Sequence, residues 1–334
     1  MGEDREVTPS PPRRRQLGSW TIRWWRLVPA LTVAVVAAGI LGSRWRGIEG
    51  SHRSLLVMLV TALVAGLAIS ASAVRRGAAD PSPPRSRGPV RTWVVRAVGV
   101  IASVAVVATL LYLRPLPASD RALDAMERTA AVRVLESGTR VVLVPTGDER
   151  ETGVVFFPGA LVDPRAYVPN LRPLAEAGHR VVIIKPPLNV SLLDRAGAGR
   201  AMDAHPGVER WVVAGHSLGG VAAASVAGGN DDRVAGLLLW ASFPNSSLAE
   251  VADLEVSSVS GSRDGLSTPA EIDDSAADLP PGTTFVEVTG ANHAQFGDYG
   301  SQRGDGTATI SRAEAQAQIQ AASLELVQRV ERTG

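Results

Sequence analysis

The sequence predicts an α/β architecture, a doubly wound and mostly parallel sheet, preceded by three transmembrane helices. Three observations carry this. Three charge-free apolar runs bounded by arginines occupy the first third of the chain. From about Ala131 onward, short apolar segments alternate with amphipathic or Ala-rich ones. The charge is also divided: up to Arg114 there are 16 arginines against 5 acidic residues, and after it 18 basic against 28 acidic residues. The net charge of +1 therefore hides two opposed parts that suit two physical environments.

The apolar runs are 27–43, 54–74 and 97–113. The middle one has 21 residues, enough to cross a hydrocarbon core at about 1.5 Å per residue. The outer two have 17 each and span if Trp24, Trp25 and Trp93 sit in the interface while the flanking arginines snorkel. Buried helices of a soluble domain show a polar side, and these show none. A cleaved signal peptide accounts for the first run alone. Arg5, Arg13, Arg14, Arg15, Arg23 and Arg26 precede the first run. Arg75, Arg76, Arg85, Arg87, Arg91 and Arg96 fill the second connection, whereas the first has Arg44, Arg46 and Arg53 offset by Glu49. The positive-inside rule then puts the N-terminus in the cytoplasm and, after three crossings, the acidic domain outside a cell membrane. Residues 1–22 read as a disordered basic tail, 23–114 as the anchor and 115–334 as the α/β domain. The arginines lack interleaved base-reading residues, so the basic third is matched to a lipid bilayer and not to nucleic acid. With no cysteine, disulfides, thiolate metal sites and a cysteine nucleophile are excluded.

In the acidic part, 132–136 and 140–145 read as an antiparallel pair of strands, and 153–157 as a buried strand. Helix 164–177, strand 180–184, helix 191–204 and strand 210–214 follow, then helix 218–228 and strand 234–240. Strands at 256–260 and 284–288 and a closing helix at 311–332 complete the series. Strands apolar on both sides are what a parallel sheet covered by helices requires.

Chemistry concentrates in Gly215-His216-Ser217-Leu218-Gly219-Gly220, which follows a strand and opens a helix. A G-x-S-x-G segment in that setting makes a sharp turn that lifts the serine above the strand ends. Small residues must flank it, and Gly215 and Gly219 do. The helix start directs the Leu218 amide at any charge developing there. A serine hydroxyl is a poor nucleophile until a histidine takes its proton. Of five histidines, His52 borders a membrane run, His179 precedes a strand, His205 ends a helix and His216 lies within the turn. His293 follows the last strand and is the candidate base. Asp264, just past the strand 256–260, is the candidate acid that orients it. Asp231, Asp232 and Asp298 are weaker candidates. The order Ser217, Asp264, His293 is that of the strand–turn–helix serine enzymes. A second oxyanion donor is expected after the third strand, in Pro158-Gly159-Ala160-Leu161, from the Ala160 amide or, one residue on, Leu161. Gly159 would let the backbone approach a substrate.

With these residues the chain, from about Ala131, resembles the α/β-hydrolase superfamily. More narrowly it resembles the compact bacterial fold-5 group related to dienelactone-hydrolase-like proteins. The stretches 157–164, 215–220 and 292–300 carry the likeness. The resemblance implies hydrolysis of an ester or related acyl substrate with no cofactor and no metal, through Ser217, Asp264 and His293. Dienelactone hydrolases carry a cysteine where this chain has Ser217, so their substrate does not transfer. Acyl transfer to an alcohol, and a hydrolase-like domain that only binds, are the competing readings. The connection 241–255 is too short for a cap domain, which favours an open site and small esters. The loop 297–309 has Asp-Gly pairs without calcium-loop spacing and reads as a solvated turn.

Overall fold

The structure, a computed structural model, describes residues 24–79 and 89–333. The basic tail over 1–22, Arg23 and residues 80–88 of the second connection lie outside those residues. By internal contacts the described chain divides into two units. Residues up to Val36 with Ala62–Thr109 form one, and Ala37–Thr61 with the chain from Leu110 form the other.

The first unit is built from α1 (Trp24–Ser43), α3 (Arg53–Ala79) and α4 (Pro89–Tyr112). All three are long and apolar enough to cross a membrane, over Trp24–Ser43, Arg53–Arg75 and Val90–Tyr112. All three are longer than their apolar runs, continuing into the flanking Trp and Arg residues. Gly66 allows α3 to approach α1 closely: a Cβ there would lie 2.7 Å from the Ala30 carbonyl oxygen. Small residues at such a crossing permit tight packing without a hydrophobic driving force.

The second unit begins with the ends of α1 and α3 and the short helix between them, α2 (Trp45–Gly50). After α5 (Asp120–Asp124) come β1 (Val132–Glu136), β2 (Arg140–Pro145) and β3 (Thr152–Phe157). Then follow α6 (Val168–Glu176), β4 (Val181–Ile184), α7 (Gly197–Asp203), β5 (Arg210–His216) and α8 (Leu218–Ala227). The chain ends with β6 (Val234–Trp240), β7 (Glu255–Gly261), α9 (Pro269–Asp274), β8 (Thr284–Val288) and α10 (Arg312–Arg332). The eight strands form one sheet in the order β1-β2-β4-β3-β5-β6-β7-β8. β2 is antiparallel to β1 and β4, and every pairing from β4 to β8 is parallel.

Alternation within the strands separates two cores. Val154 and Phe156 of β3 join Tyr167, Leu171, Trp240 and Leu326 on the side of α6 and α10. Val155 and Phe157 join Met202, Trp211, Val213, Ala222 and Ala223 on the side of α7 and α8. β3 is buried along its whole length, which is why it reads as an unbroken apolar run. It lies between β4 and β5, so the winding direction reverses beside it. The crevice this opens at the carboxyl ends of the strands is where such sheets bind ligands.

The expected elements are present, with three local differences. The helix expected from 164 begins as a 3-10 turn, Pro164–Tyr167, before α6. The helix expected over 191–204 is a 3-10 turn (Ser191–Asp194) and then α7, a break followed by Gly197 and Gly199. α2, α5 and α9 are additional; α5 and α9 are single capped turns, held by Ser119 and Thr268.

Between β3 and α6, Asp163 and Arg165 form a buried ion pair, with Arg165 Nη2 2.8 Å from Asp163 Oδ2. Asp163 is fully buried. Arg165 Nη2 also donates to the Arg46 carbonyl oxygen, at the start of α2. Breaking such a pair leaves one charge uncompensated, at a cost of about 3–5 kcal/mol. Arg165→Ala is therefore expected to lower the unfolding midpoint strongly, and Asp163→Ala/Arg165→Ala less than Arg165→Ala alone. A double variant at least as unstable as Arg165→Ala in thermal melts of the detergent-solubilised chain would contradict this.

Candidate active site

Ser217 stands at the junction of β5 and α8 with φ 52° and ψ −126°, a strained conformation for a residue with a side chain. Its neighbours enforce this turn. A Cβ on Gly215 would lie 2.2 Å from the Gly219 carbonyl oxygen, and one on Gly219 would lie 2.0 Å from that of Phe157. The serine backbone is fixed at both ends: its N–H donates to Trp240 O (2.9 Å), and its carbonyl accepts from Ser242 Oγ (2.7 Å). Leu218 opens α8, so its amide is among those with no acceptor inside the helix.

Asp264 and His293 follow β7 and β8, and the structure brings them together. His293 Nδ1 lies 2.8 Å from Asp264 Oδ2, and both side chains are completely buried. Asp264 Oδ1 accepts the Leu266 and Ser267 amides, each at 2.8 Å. The carboxylate is thus aimed by its own turn, and it fixes the imidazole with Nδ1 as donor. His293 Nε2 is buried and makes no hydrogen bond. No bond links it to Ser217 Oγ in this structure. The His293 ring packs on His216, next to Ser217, with centroids 4.4 Å apart.

After β3, the Leu161 N–H donates to Asn189 O (2.8 Å). That engagement removes Leu161 as an oxyanion donor. Among the described residues no hydrogen bond engages the Ala160 N–H. A serine on a strained turn, an imidazole held by a carboxylate and two unpaired amides are the groups that acyl-transfer chemistry requires. Among the described residues, no three His, Cys, Asp or Glu side chains gather as metal donors.

A family model described as "Alpha/beta hydrolase family" matches residues 153–318. The chain belongs to the alpha/beta hydrolase family. Its hydrolase domain is similar to several solved structures. One is a CIB-like hydrolase from Thermoplasma acidophilum (16% identity, covering 59% of this chain and 99% of that one, TM-score 0.46). Another is an alpha-beta serine hydrolase homologue from Coxiella burnetii (19%, 62% and 98%, TM-score 0.40). A third is a thermophilic esterase from Thermogutta terrifontis (16%, 60% and 93%, TM-score 0.41). No curated protein matches the sequence.

Three residues of the hydrolase domain have structural roles at the site that the sequence does not disclose. Tyr167 Oη accepts the Gly159 N–H (2.9 Å) and lies 2.9 Å from His216 Nδ1. The Tyr167 hydroxyl thereby joins the Gly159 amide to the His216 ring. The packing of Tyr167 and His216 itself requires a glycine at 159: a Cβ there would lie 2.7 Å from His216 Nδ1. His216 is fully buried and stacks on Phe296. The third residue is Asp305, in the loop expected to be a solvated turn. Its Oδ1 accepts the Gly265, His293 and Gly306 amides at 3.3, 3.1 and 2.7 Å, and its Oδ2 accepts the Ala294 amide at 2.9 Å. One carboxylate thereby ties the Asp264 turn to the His293 turn.

The weaker acid candidates lie elsewhere. Asp298 is buried against Gln316 and Arg121, and Asp231 pairs with Arg233 in its own turn.

Burial, and next the neighbouring His293, hold His216 well below the ordinary histidine value, and burial likewise lowers His179. The unfolded chain therefore takes up protons near pH 6.5 that the folded one refuses. This contribution to stability is intact above pH 6.5 and is lost as pH falls below it. Each such histidine adds a slope of at most about 1.4 kcal/mol per pH unit. Denaturation midpoints measured from pH 7.5 to 5 should fall, and His216→Gln should flatten the decline. An unchanged slope in that variant would rule out a neutral, buried His216.

Proposed function

We propose that the protein is a membrane-anchored serine hydrolase that cleaves carboxylic esters through an acyl-enzyme. The observation that carries this reading is the buried Asp264–His293 pair, whose histidine packs beside the Ser217 turn. Ser217 Oγ attacks the acyl carbonyl carbon and its proton passes to His293 Nε2, the one imidazole nitrogen left free by Asp264. The carbonyl oxygen takes up negative charge, which the Leu218 and Ala160 amides receive. As the C–O bond to the leaving alcohol breaks, His293 returns the proton to that oxygen. Water then attacks the acyl-serine by the same route and releases the acid. Catalytic hydrogen bonds are often long before substrate binds, so the missing Ser217–His293 bond is compatible with this role.

The anchor is residues 23–114 and the hydrolase domain 115–334. The turn between α1 and α3 packs within the same unit as the hydrolase sheet. If both helices cross a bilayer, that turn and the sheet share one side. The arginine distribution assigns this side to the exterior and the N-terminus to the cytoplasm. No helix interrupts the connection from β6 to β7. The site is then uncapped, which suits short or solvent-presented acyl groups.

In the full chain in detergent, a fluorophosphonate probe is expected to label wild type and not Ser217→Ala, with ester turnover in that variant down about 10⁴-fold or more. Failure of the folded wild-type chain to label would sink the serine-hydrolase reading. Activity on nitrophenyl esters should decline as the acyl chain lengthens, and a preference for long chains would argue against an uncapped site. Asp305→Ala should lower kcat about 10- to 100-fold with little change in KM, because small misplacements of reacting groups are costly. A kcat within twofold of wild type would show that the two turns hold their geometry without it.

A further inference from the structure

The oxyanion loop is held largely by residues outside the sheet. We propose that the turn joining α1 to α3 braces this loop, and that Ser51 and Ser54 are positioning residues for the reaction. The inference rests on the serine-hydrolase reading given above.

The connection runs through a short series of hydrogen bonds. Ser54 Oγ accepts the Leu188 N–H at 2.9 Å, and Ser51 Oγ accepts from Asn189 Nδ2 at 2.7 Å. Ser51 is itself buried and donates back to Gly47 O of α2 (2.5 Å), while Ser54 Oγ lies 2.9 Å from His52 Nδ1. Leu188 and Asn189 both have φ 56°, a left-handed conformation that side chains disfavour. Two consecutive residues of this kind persist only where their surroundings over-determine them, and the two serines supply part of that constraint. In this conformation Asn189 turns its carbonyl to the Leu161 N–H. Leu161, with φ 64°, is the third left-handed residue in the series, and it directly follows Ala160. Ser191, two residues after Asn189, holds the other end of the loop by donating to Pro158 O (2.7 Å).

The rear of the loop is tied to the same region. Leu116, just after α4, donates its N–H to Leu161 O (2.8 Å) and accepts from the Asp163 N–H (2.9 Å). α2 closes on this strip: a Cβ on Gly47 would lie 3.2 Å from Pro115, and one on Gly50 would lie 2.3 Å from Arg165 Nε. Ala160 therefore sits on a peptide whose neighbours are bonded to the chain segments that border α1, α3 and α4. In this arrangement the anchor does more than tether the domain, because its turn sets the direction of one oxyanion donor.

A donor that is slightly misdirected weakens transition-state binding and leaves ground-state binding nearly intact, so it appears in kcat and not in KM. The test uses the full chain in detergent or nanodiscs, with a short-chain nitrophenyl ester as substrate. Fluorophosphonate titration counts the active sites. Ser51→Ala/Ser54→Ala is expected to lower kcat per titrated site about tenfold, with KM within twofold and the titratable fraction unchanged. Ser51→Thr/Ser54→Thr, which retains both oxygens, should recover most of the loss. The single alanine variants, each missing one hydrogen bond, should each lose about threefold, and they decide the matter if the double variant fails to fold. A kcat per titrated site equal to wild type in the alanine variants overturns the brace, even if fewer molecules fold. A wild-type chain that takes no label overturns the serine-hydrolase reading, whereas a labelled wild type with unaffected variants removes the brace alone.

Discussion

The contact on which the rest of this domain depends is the approach of the first turn of α8 to the end of β3. Gly219 lies so close to the Phe157 and Pro158 carbonyls that no side chain fits between them. That proximity obliges the chain to reverse within one residue, which puts Ser217 into a strained conformation. It also brings the start of a helix, with its free amides, next to the loop that leaves β3. The strained Ser217 turn and the free amides beside it are thus consequences of one packing decision. The alanines at positions 222, 223 and 224 continue it, since larger residues would lift α8 from the sheet.

A strained turn persists only when its surroundings are stiff, and here the stiffness is polar as much as apolar. Tyr167 and His216 fill the space beneath the oxyanion loop with a directional hydrogen-bond chain where a hydrophobic plug would allow slippage. Keeping His216 neutral matters, because a second charge 4.4 Å from His293 would oppose any proton that His293 accepts. On the other side of the site, Asp305 gathers amides from both the Asp264 turn and the His293 turn. Two loops that belong to different strands are thereby bonded to one carboxylate.

How much of this could be read from the sequence follows from the range of the interactions. The parallel strands were legible because burial on both faces leaves unbroken apolar runs, as in 153–157 and 181–184. The Ser217 turn was legible because its determinants, Gly215 and Gly219, lie within two residues of it. Asp264 and His293 could be picked out by their places after β7 and β8. Asp305 could not, since the amides it binds lie up to 40 residues away and an Asp-Gly pair reads equally well as a turn. Leu161 stood as the alternative to Ala160 for the same reason: Asn189, which engages the Leu161 amide, comes 28 residues later. Tyr167 and Gly159 looked like a helix residue and a substrate-side glycine until the interior position of His216 linked them.

The apolar helices pose the same problem at a larger scale. Hydropathy and arginine placement describe where a helix can lie, but they carry no signal for what its connecting turn will touch. Ser51 and Ser54 are unremarkable as residues, and only their meeting with Leu188 and Asn189 gives them a structural role. The meeting is specific because both partners have left-handed backbones, which expose an amide and a carboxamide that would otherwise be unsatisfied. The oxyanion loop thus borders the turn between α1 and α3 and the segment that follows α4. Removing the first third of the chain would therefore leave polar groups behind the oxyanion loop without partners. Composition changes at Pro115, but the hydrogen bonds of Ser51, Ser54 and Leu116 cross that point and reach the loop after β3 and its neighbours.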